Sequence, residues 1–121
     1  MTGGAHAFPR SRRLKKAEEF QRVFKRPERS ADRFFTVLAI PNGKRQPRLG
    51  LAISKKTVRR AIDRNRVKRL VRESFRQHQQ VIGGWDIVVM SRRAAAEADN
   101  EQLRRSLEVH WNNLARRCVD S

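Results

Sequence analysis

Residues 55–76 read KKTVRRAIDRNRVKRLVRESFR, and this stretch concentrates both the charge and the apolar periodicity of the chain. It holds ten Lys and Arg residues against two acids. When residues from 64 onward are projected at about 100° each, small and apolar side chains fall on one side and cations on the other. The first face carries Val67, Leu70, Val71, Ser74 and Phe75, and the opposite face carries Arg64, Asn65, Lys68, Arg69, Arg72 and Arg76. The stretch predicts a helix, ending near residue 77, that buries one face and docks on a polyanion with the other.

The composition of the whole chain supports a polyanionic partner. It has 121 residues, enough for one domain, and 29 Lys and Arg against 12 Asp and Glu give a net charge of +17. Such self-repulsion is relieved by a polyanion, of which nucleic acid is the commonest and an anionic membrane surface the second candidate. With no secretory signal, no apolar stretch long enough to span a bilayer and a single cysteine, Cys118, we expect a cytoplasmic protein.

Apolar periodicity and turn residues outline the remaining elements. We expect a flexible basic arm over residues 1–13 and a single domain over residues 14–118. The domain is predicted to contain a helix at 17–25 stopped by Pro27, strands at 33–40, 48–54 and 85–91, and a last helix at 101–117 capped by Asp99 or Asn100. The second strand should run antiparallel to the first, and the third should be central because it is apolar throughout. The fold class is therefore α+β, an α/β sandwich with a small mixed sheet in the order α-β-β-α-β-α, with room for one further short strand.

Aromatic side chains offer a second candidate site. Phe20 and Phe24 are four residues apart on the first helix, where they serve either as core or as a stacking surface for unpaired nucleotides. Small residues at 50, 52 and 54 alternate with larger apolar ones, so one face of that strand should be shallow. Phe34 or Phe35 would extend the aromatic surface, with one facing out and the other in.

Catalytic groups are not clustered in the sequence. Asp32, Asp63, Glu73 and Asp86 are spread along the chain, and the three acids at the start of the last helix, Glu97, Asp99 and Glu101, are explained by the helix dipole. The histidines, His6, His78 and His110, lie in unrelated elements, and neither a metal-ligand spacing nor a glycine-rich phosphate loop occurs. We therefore expect binding sites without catalytic or metal-ligating residues of the protein itself.

Several motifs in a fixed order carry a family resemblance. They are Phe8-Pro9-Arg10, Leu14 with Phe20 and Val23-Phe24-Lys25, Arg48-Leu49-Gly50-Leu51 leading into Ser54-Lys55-Lys56, the run from Arg64-Asn65-Arg66 to Phe75, and Asp86-Ile87-Val88-Val89. In this order the chain resembles the bacterial ribonuclease P protein component, from about residue 8 to residue 117.

The resemblance implies a fold, a function and a set of partners. The fold would be an α/β sandwich with a left-handed crossover through the basic helix. The protein would assist a catalytic RNA subunit, with its bound Mg²⁺, in removing the 5′ leader of precursor tRNA. It would bind ribonuclease P RNA and the leader, but neither DNA nor membrane, and be a monomer on its own. By position, Arg64, Asn65, Arg66, Lys68, Arg69 and Arg72 match the RNA-docking motif, and Phe20, Phe24, Ser54, Lys55 and Lys56 match the leader-binding cleft.

The residues alone leave alternatives. A ribosomal or other structural RNA-binding protein explains the charge and size equally well. A basic leucine zipper does not fit, because Gly83-Gly84 and a strand follow the basic helix in place of a leucine heptad. A nuclease that needs no RNA is disfavoured by the scattered acids.

Overall fold

The computed structural model describes residues 13–120, with side chains up to residue 117, so the predicted arm lies outside it except for Arg13. Within these described residues, four helices and four strands follow in chain order: α1 Ala17–Lys25, β1 Glu28–Ala31, β2 Phe35–Pro41, β3 Arg48–Ala52, α2 Ala61–Gln77, α3 Gln79–Ile82, β4 Trp85–Ser91 and α4 Asn100–Asp120, with a 3₁₀ helix at Arg93–Ala96 before α4. Within residues 13–120, every helix is too short or too polar to cross a lipid bilayer. The α+β class is confirmed.

The four strands form one mixed sheet in the order β1-β2-β4-β3. Strand β4 is central, as predicted, and pairs antiparallel with β2 and parallel with β3. Strands β2 and β3 therefore run in opposite directions, as expected, but they are not neighbours because β4 lies between them. The loop after β2 is consequently a connection across the sheet and not a hairpin turn.

Strand β1 is the further short strand. Only Ser30 of its four residues is buried, so the strand has no apolar alternation by which to recognise it. It pairs antiparallel with β2 through a tight turn in which the Asp32 carboxylate accepts hydrogen bonds from the amides of Phe34 and Phe35, both at 2.9 Å. An aspartate that bonds to the backbone just after itself is typical of such turns.

Helix α2 carries the chain from β3 to the parallel strand β4. It begins at Ala61, so residues 55–60 form a turn-rich segment and not the start of the helix. Its buried residues are the predicted five: Val67, Leu70, Val71, Ser74 and Phe75. The crossover through the basic helix is thus present, and its left-handed sense stays a prediction from the resemblance.

The sheet separates two apolar cores. The larger lies under α2 and α4 and includes Trp111, whose indole donates to the Ser74 hydroxyl at 2.8 Å. The smaller lies under α1 and consists of Leu14, Val23, Leu38 and Val88. Helix α1 is thus held on the sheet by a small apolar cluster, and polar contacts add to this.

A buried ionic network makes those polar contacts. Asp86 on β4 is fully buried, and the Arg48 guanidinium from the paired position on β3 binds it with two hydrogen bonds of 2.8 and 2.7 Å. Arg48 also donates to Glu19 of α1 at 3.1 Å, and the side-chain amide of Asn42 donates to Asp86 at 3.1 Å. Hydrogen bonds from the amides of residues 16 and 15 are the main cause that lowers the pKa of Glu19, which therefore stays charged opposite Arg48.

Removing the buried carboxylate should destabilise the domain. Asp86→Ala leaves Arg48 buried without its main partner, and we expect a loss of about 3–5 kcal/mol in the free energy of unfolding, measured by urea denaturation. Arg22 is the matched control because it reaches the same carboxylate at 3.5 Å from an exposed position. Arg22→Gln should cost less than about 1 kcal/mol. Equal losses in the two variants would contradict the network.

Candidate nucleic-acid interface

The cationic face of α2 is open to solvent along its length. Asn65, Arg69 and Arg72 are exposed, and Lys68 and Arg76 are half-buried beside them. They recur at the three- and four-residue spacing that places side chains on one helix face. Because the opposite face is buried in the larger core, these donors are presented on a rigid surface.

Two arginines of the predicted docking motif also hold the fold together. The Arg64 guanidinium donates to the carbonyl oxygens of Val58 at 3.1 Å and Arg59 at 2.8 Å, which ties the turn-rich segment to α2. The Arg66 guanidinium donates to the Asn100 side chain at 2.8 Å, at the start of α4. Charge pattern alone indicated docking side chains, and the sequence carries no signal for either the local contacts of Arg64 or the long-range contact of Arg66.

Phe20 lies at the edge of a depression between α1, β3 and α2. Its ring packs on Gly50, where a Cβ atom would come within 2.7 Å of the ring, so the absence of a side chain there makes room for the aromatic. The depression has a volume of about 480 Å³ and is lined by Arg13, Leu14, Lys15, Phe20, Leu49, Leu51, Lys68 and Arg72. The structure therefore brings a predicted cleft residue together with two predicted RNA-docking residues.

The electrostatics of this depression favour an anion. Four of its eight lining residues are cationic and none is acidic. Partial desolvation lowers the pKa of Arg72, and repulsion from Arg13 lowers it further. Like charges held together beside an apolar floor gain stability when an anion neutralises them.

The aromatic residues take different positions. Phe20 is half-buried on the smaller core, whereas the Phe24 side chain is 44% exposed, so Phe20 contributes to the core and Phe24 is free to stack. The expectation that Phe34 or Phe35 extends this surface is wrong, because both pack on the larger core. Phe34 precedes β2, so the alternation of a strand does not apply to it.

Ser54, Lys55 and Lys56 lie in the segment that follows β3, and all three are exposed. The Ser54 hydroxyl bonds to that of Thr57 at 3.1 Å, which in turn bonds to Ser91 at 2.6 Å. Lys56 lines a separate basic depression with Thr57, Arg59, Arg60, Asp63, Arg93, Ala96 and Glu97. The three residues thus follow the same strand as Gly50 but do not line the depression at Phe20.

A polar cluster that sequence reasoning missed lies between β1 and α4. The His110 ring has Nδ1 2.7 Å from the Ser30 hydroxyl and Nε2 3.3 Å from an oxygen of Asp32. Serine hydrolases use the same three residue types, but with Nε2 facing the serine and Nδ1 the aspartate. In addition, Ser30 is 5% and His110 1% exposed, so a substrate cannot reach the hydroxyl. The cluster instead fixes α4 to β1, together with the Ser106 hydroxyl, which donates to Asp32 at 2.5 Å.

The folded state lowers the pKa of both titratable groups in this cluster, His110 and Asp32, but for different reasons. Burial lowers the pKa of His110 below its ordinary value of 6.5, although the Asp32 carboxylate opposes that shift. Burial would raise the pKa of Asp32, but hydrogen bonds from Ser106 and from two backbone amides hold it below its ordinary value of 3.8. At pH values between 3.8 and 6.5, His110 is therefore the group of this cluster whose protonation couples folding to pH.

Stability should therefore fall as the pH is lowered below about 6.5. The unfolded chain takes up the proton at His110 first, so the free energy of unfolding drops by up to about 1.4 kcal/mol per pH unit until the pKa of the folded state is reached. The loss linked to Asp32, whose pKa lies below its ordinary value of 3.8, occurs at lower pH than the loss linked to His110. Thermal unfolding of His110→Gln against the unchanged protein from pH 7.5 to 5 measures the difference. Parallel pH profiles would contradict this assignment.

Carboxylates do not gather into a metal site in the described part of the chain. Across the side chains of residues 13–117, no three His, Cys, Asp or Glu groups lie together as ligands. Asp86 is enclosed by Arg48 and Asn42, and Asp32 by Ser106 and backbone amides. These donor sets do not fit a protein-bound divalent cation.

Comparison with known proteins gives a consistent set of similarities. The family model described as Ribonuclease P matches residues 8–115. A ribonuclease P protein component of Methylococcus capsulatus is 52% identical, over 98% of this chain and 93% of the relative. One of Nitrosococcus oceani is 48% identical, over 94% of this chain and 96% of the relative.

Solved structures show the same similarity in three dimensions. The RNase P protein of Staphylococcus aureus superimposes with a TM-score of 0.77 at 37% identity, covering 86% of this chain and 94% of that one. The RNase P protein of Thermotoga maritima gives 0.75 at 34% identity, covering 84% and 96%. The sheet and helices described above are thus the arrangement of these proteins.

Proposed function

This chain belongs to the ribonuclease P protein component family, and from that membership we propose how its surface serves the removal of the 5′ leader from precursor tRNA. The protein is the subunit that partners the ribonuclease P RNA. The observation that carries the proposal is the junction of two surfaces: Lys68 and Arg72 belong to the cationic face of α2 and also line the depression at Phe20. A nucleic acid bound to the cationic face of α2 therefore lies next to one bound in the depression at Phe20.

The RNA subunit docks on the cationic face of α2. Exposed Arg69 and Arg72 bind phosphate oxygens through two donors each, a geometry that lysine cannot provide. Lys68 adds a point charge, and Asn65 reaches a base edge or a ribose. Arg64 and Arg66 contribute mainly by holding the neighbouring segments in place, because their guanidinium groups already have backbone and side-chain partners.

The single-stranded leader follows α1 and the end of β3. Phe24 offers an exposed ring for a base, and Phe20 offers the edge of its ring at the depression. Stacking on an aromatic side chain contributes about 1–3 kcal/mol per base. Ser54, Lys55 and Lys56 hold the leader backbone further along β3, by hydrogen bonding and charge.

Bond cleavage takes place on the RNA subunit. The described carboxylates are scattered or already enclosed by donors and form no metal site. Mg²⁺ held by the RNA subunit would supply charge neutralisation and Lewis acidity. The protein neutralises phosphate repulsion between the catalytic RNA and its substrate, and it adds contacts to the leader. It acts in the cytoplasm, is a monomer outside the complex, and binds neither DNA nor membrane.

Two arginine variants separate docking from folding. Arg69→Ala should weaken binding of the RNA subunit about tenfold and reduce the salt dependence by about one unit, with unchanged thermal stability. Arg64→Ala should in addition lose about 1–3 kcal/mol in the free energy of unfolding, because two carbonyl oxygens lose their donor. Filter binding and urea denaturation measure the two effects. A stable Arg69→Ala protein with full RNA affinity would sink the docking assignment.

Leader length tests the role of α1. The holoenzyme should bind precursor tRNA more weakly when the leader is cut to one or two nucleotides. Phe24→Ala should lower affinity for the long leader by about five- to a hundredfold and leave the short-leader affinity unchanged. Val109→Ala is the control, since Val109 is an exposed apolar residue on α4. If Phe24→Ala affects both substrates equally, the leader does not stack there.

A further inference from the structure

A further basic groove lies at the C-terminal end of α2, and none of its lining residues except Arg76, which ends the cationic face of α2, has yet been given a role in RNA binding. We call it the α2-end groove. It has a volume of about 510 Å³ and is lined by Arg45, Gln46, Pro47, Arg76, Gln77, Gln79, Gln80 and Gly83. Two guanidinium groups and four amide side chains surround it, and none of its lining residues is acidic.

The loop that carries Arg45 is fixed in position. The Asn42 side chain donates to the carbonyl oxygen of Gln46 at 3.0 Å and accepts from the amide of Lys44 at 2.8 Å. The backbone N–H of Asn42 donates to the carbonyl oxygen of Gly84 at 3.0 Å. A side chain at Gly84 would collide with the Lys44 carbonyl. Arg45 is therefore an exposed cation on a preorganised loop, so little entropy is lost when it binds a ligand.

Capping contacts at the end of α2 reduce its repulsion of an anion in this groove. A C-terminal helix end usually repels anions through its unpaired carbonyl oxygens. Here the His78 amide donates to the Phe75 carbonyl at 3.0 Å, and the His78 ring nitrogen Nδ1 lies 2.7 Å from the Ser74 carbonyl. The Gln79 side chain donates to the Arg76 carbonyl at 3.1 Å. These bonds occupy three of the last four carbonyl oxygens of α2, so fewer unpaired acceptors face an anion in the groove.

The groove continues the cationic face of α2. Arg76 is the last cation of the cationic face of α2. At 1.5 Å per residue, it lies about 17 Å along the helix axis from Asn65. Arg76 lines the groove just as Lys68 and Arg72 line the depression at Phe20. A polyanion lying along the cationic face of α2 therefore reaches Arg45 on the neighbouring loop.

We propose that the α2-end groove binds a further phosphodiester segment of the RNA that docks on α2. Arg45 and Arg76 hold the phosphates, while exposed Gln77 and Gln80 donate to and accept from a base edge or ribose. The proposal rests on the proposed function, because it takes the RNA subunit as the occupant.

Charge variants of Arg45 test the groove. Affinity for ribonuclease P RNA from the same genome is measured by filter binding over a series of salt concentrations. Arg45→Gln should weaken binding about tenfold and reduce the slope of log affinity against log salt by about one unit, and Arg45→Glu should weaken it further. Arg104→Gln is the matched control, since it removes the same charge from an exposed position on α4 and should change the slope little.

The outcomes separate this proposal from the docking role itself. Equal slopes and affinities for Arg45→Gln and Arg104→Gln, in proteins that melt at the same temperature, would overturn the groove site. Arg69→Gln is measured alongside. If it weakens binding while both Arg45 variants bind normally, the groove proposal fails and the docking face stands. If none of the variants, Arg69→Gln included, alters RNA binding, both proposals fail.

Discussion

The buried carboxylate of Asp86 is the constraint on which the arrangement of this domain depends. A charge without solvent needs a partner of opposite sign, and Arg48 at the paired position of the neighbouring parallel strand provides it. A slip of β3 by one residue would turn Arg48 to the other face of the sheet and leave both charges unpaired. The same guanidinium reaches Glu19, so the register of the sheet also sets the position of α1.

The position of α1 in turn creates the nucleic-acid surface. With Glu19 held at Arg48, the next residue, Phe20, lies over Gly50, two positions along β3. This places the aromatic ring opposite Lys68 and Arg72, which reach the same depression from α2. A structural ion pair and a binding surface are therefore coupled, although their residues belong to three different elements.

Local patterns predicted most of the elements but not their neighbours. Helix α1 and strand β4 have the predicted bounds, because Pro27 ends the first and an uninterrupted apolar run defines the second. Strand β1 was not located, since its pairing with β2 and not its own side chains stabilises it. The central position of β4 was predicted, but its parallel register with β3 was not, because that register depends on contacts between residues about forty positions apart. Of the site, the cationic face was predicted, whereas the structural contacts of Arg64 and Arg66 were not.

Charge, helical period and motif order are properties of the chain itself. They were enough to indicate a polyanionic partner, the buried and exposed faces of α2 and the resemblance to the ribonuclease P protein component, because each depends on residue type and spacing alone. The tertiary structure gives the individual cations different partners. Arg64 and Arg66 bind other parts of the protein, Lys68 and Arg72 meet Phe20, and Arg45 comes to lie beside Arg76. Apart from the local contacts of Arg64, these juxtapositions join residues that are distant in sequence, and only the packing of helices on a sheet of fixed register brings them together.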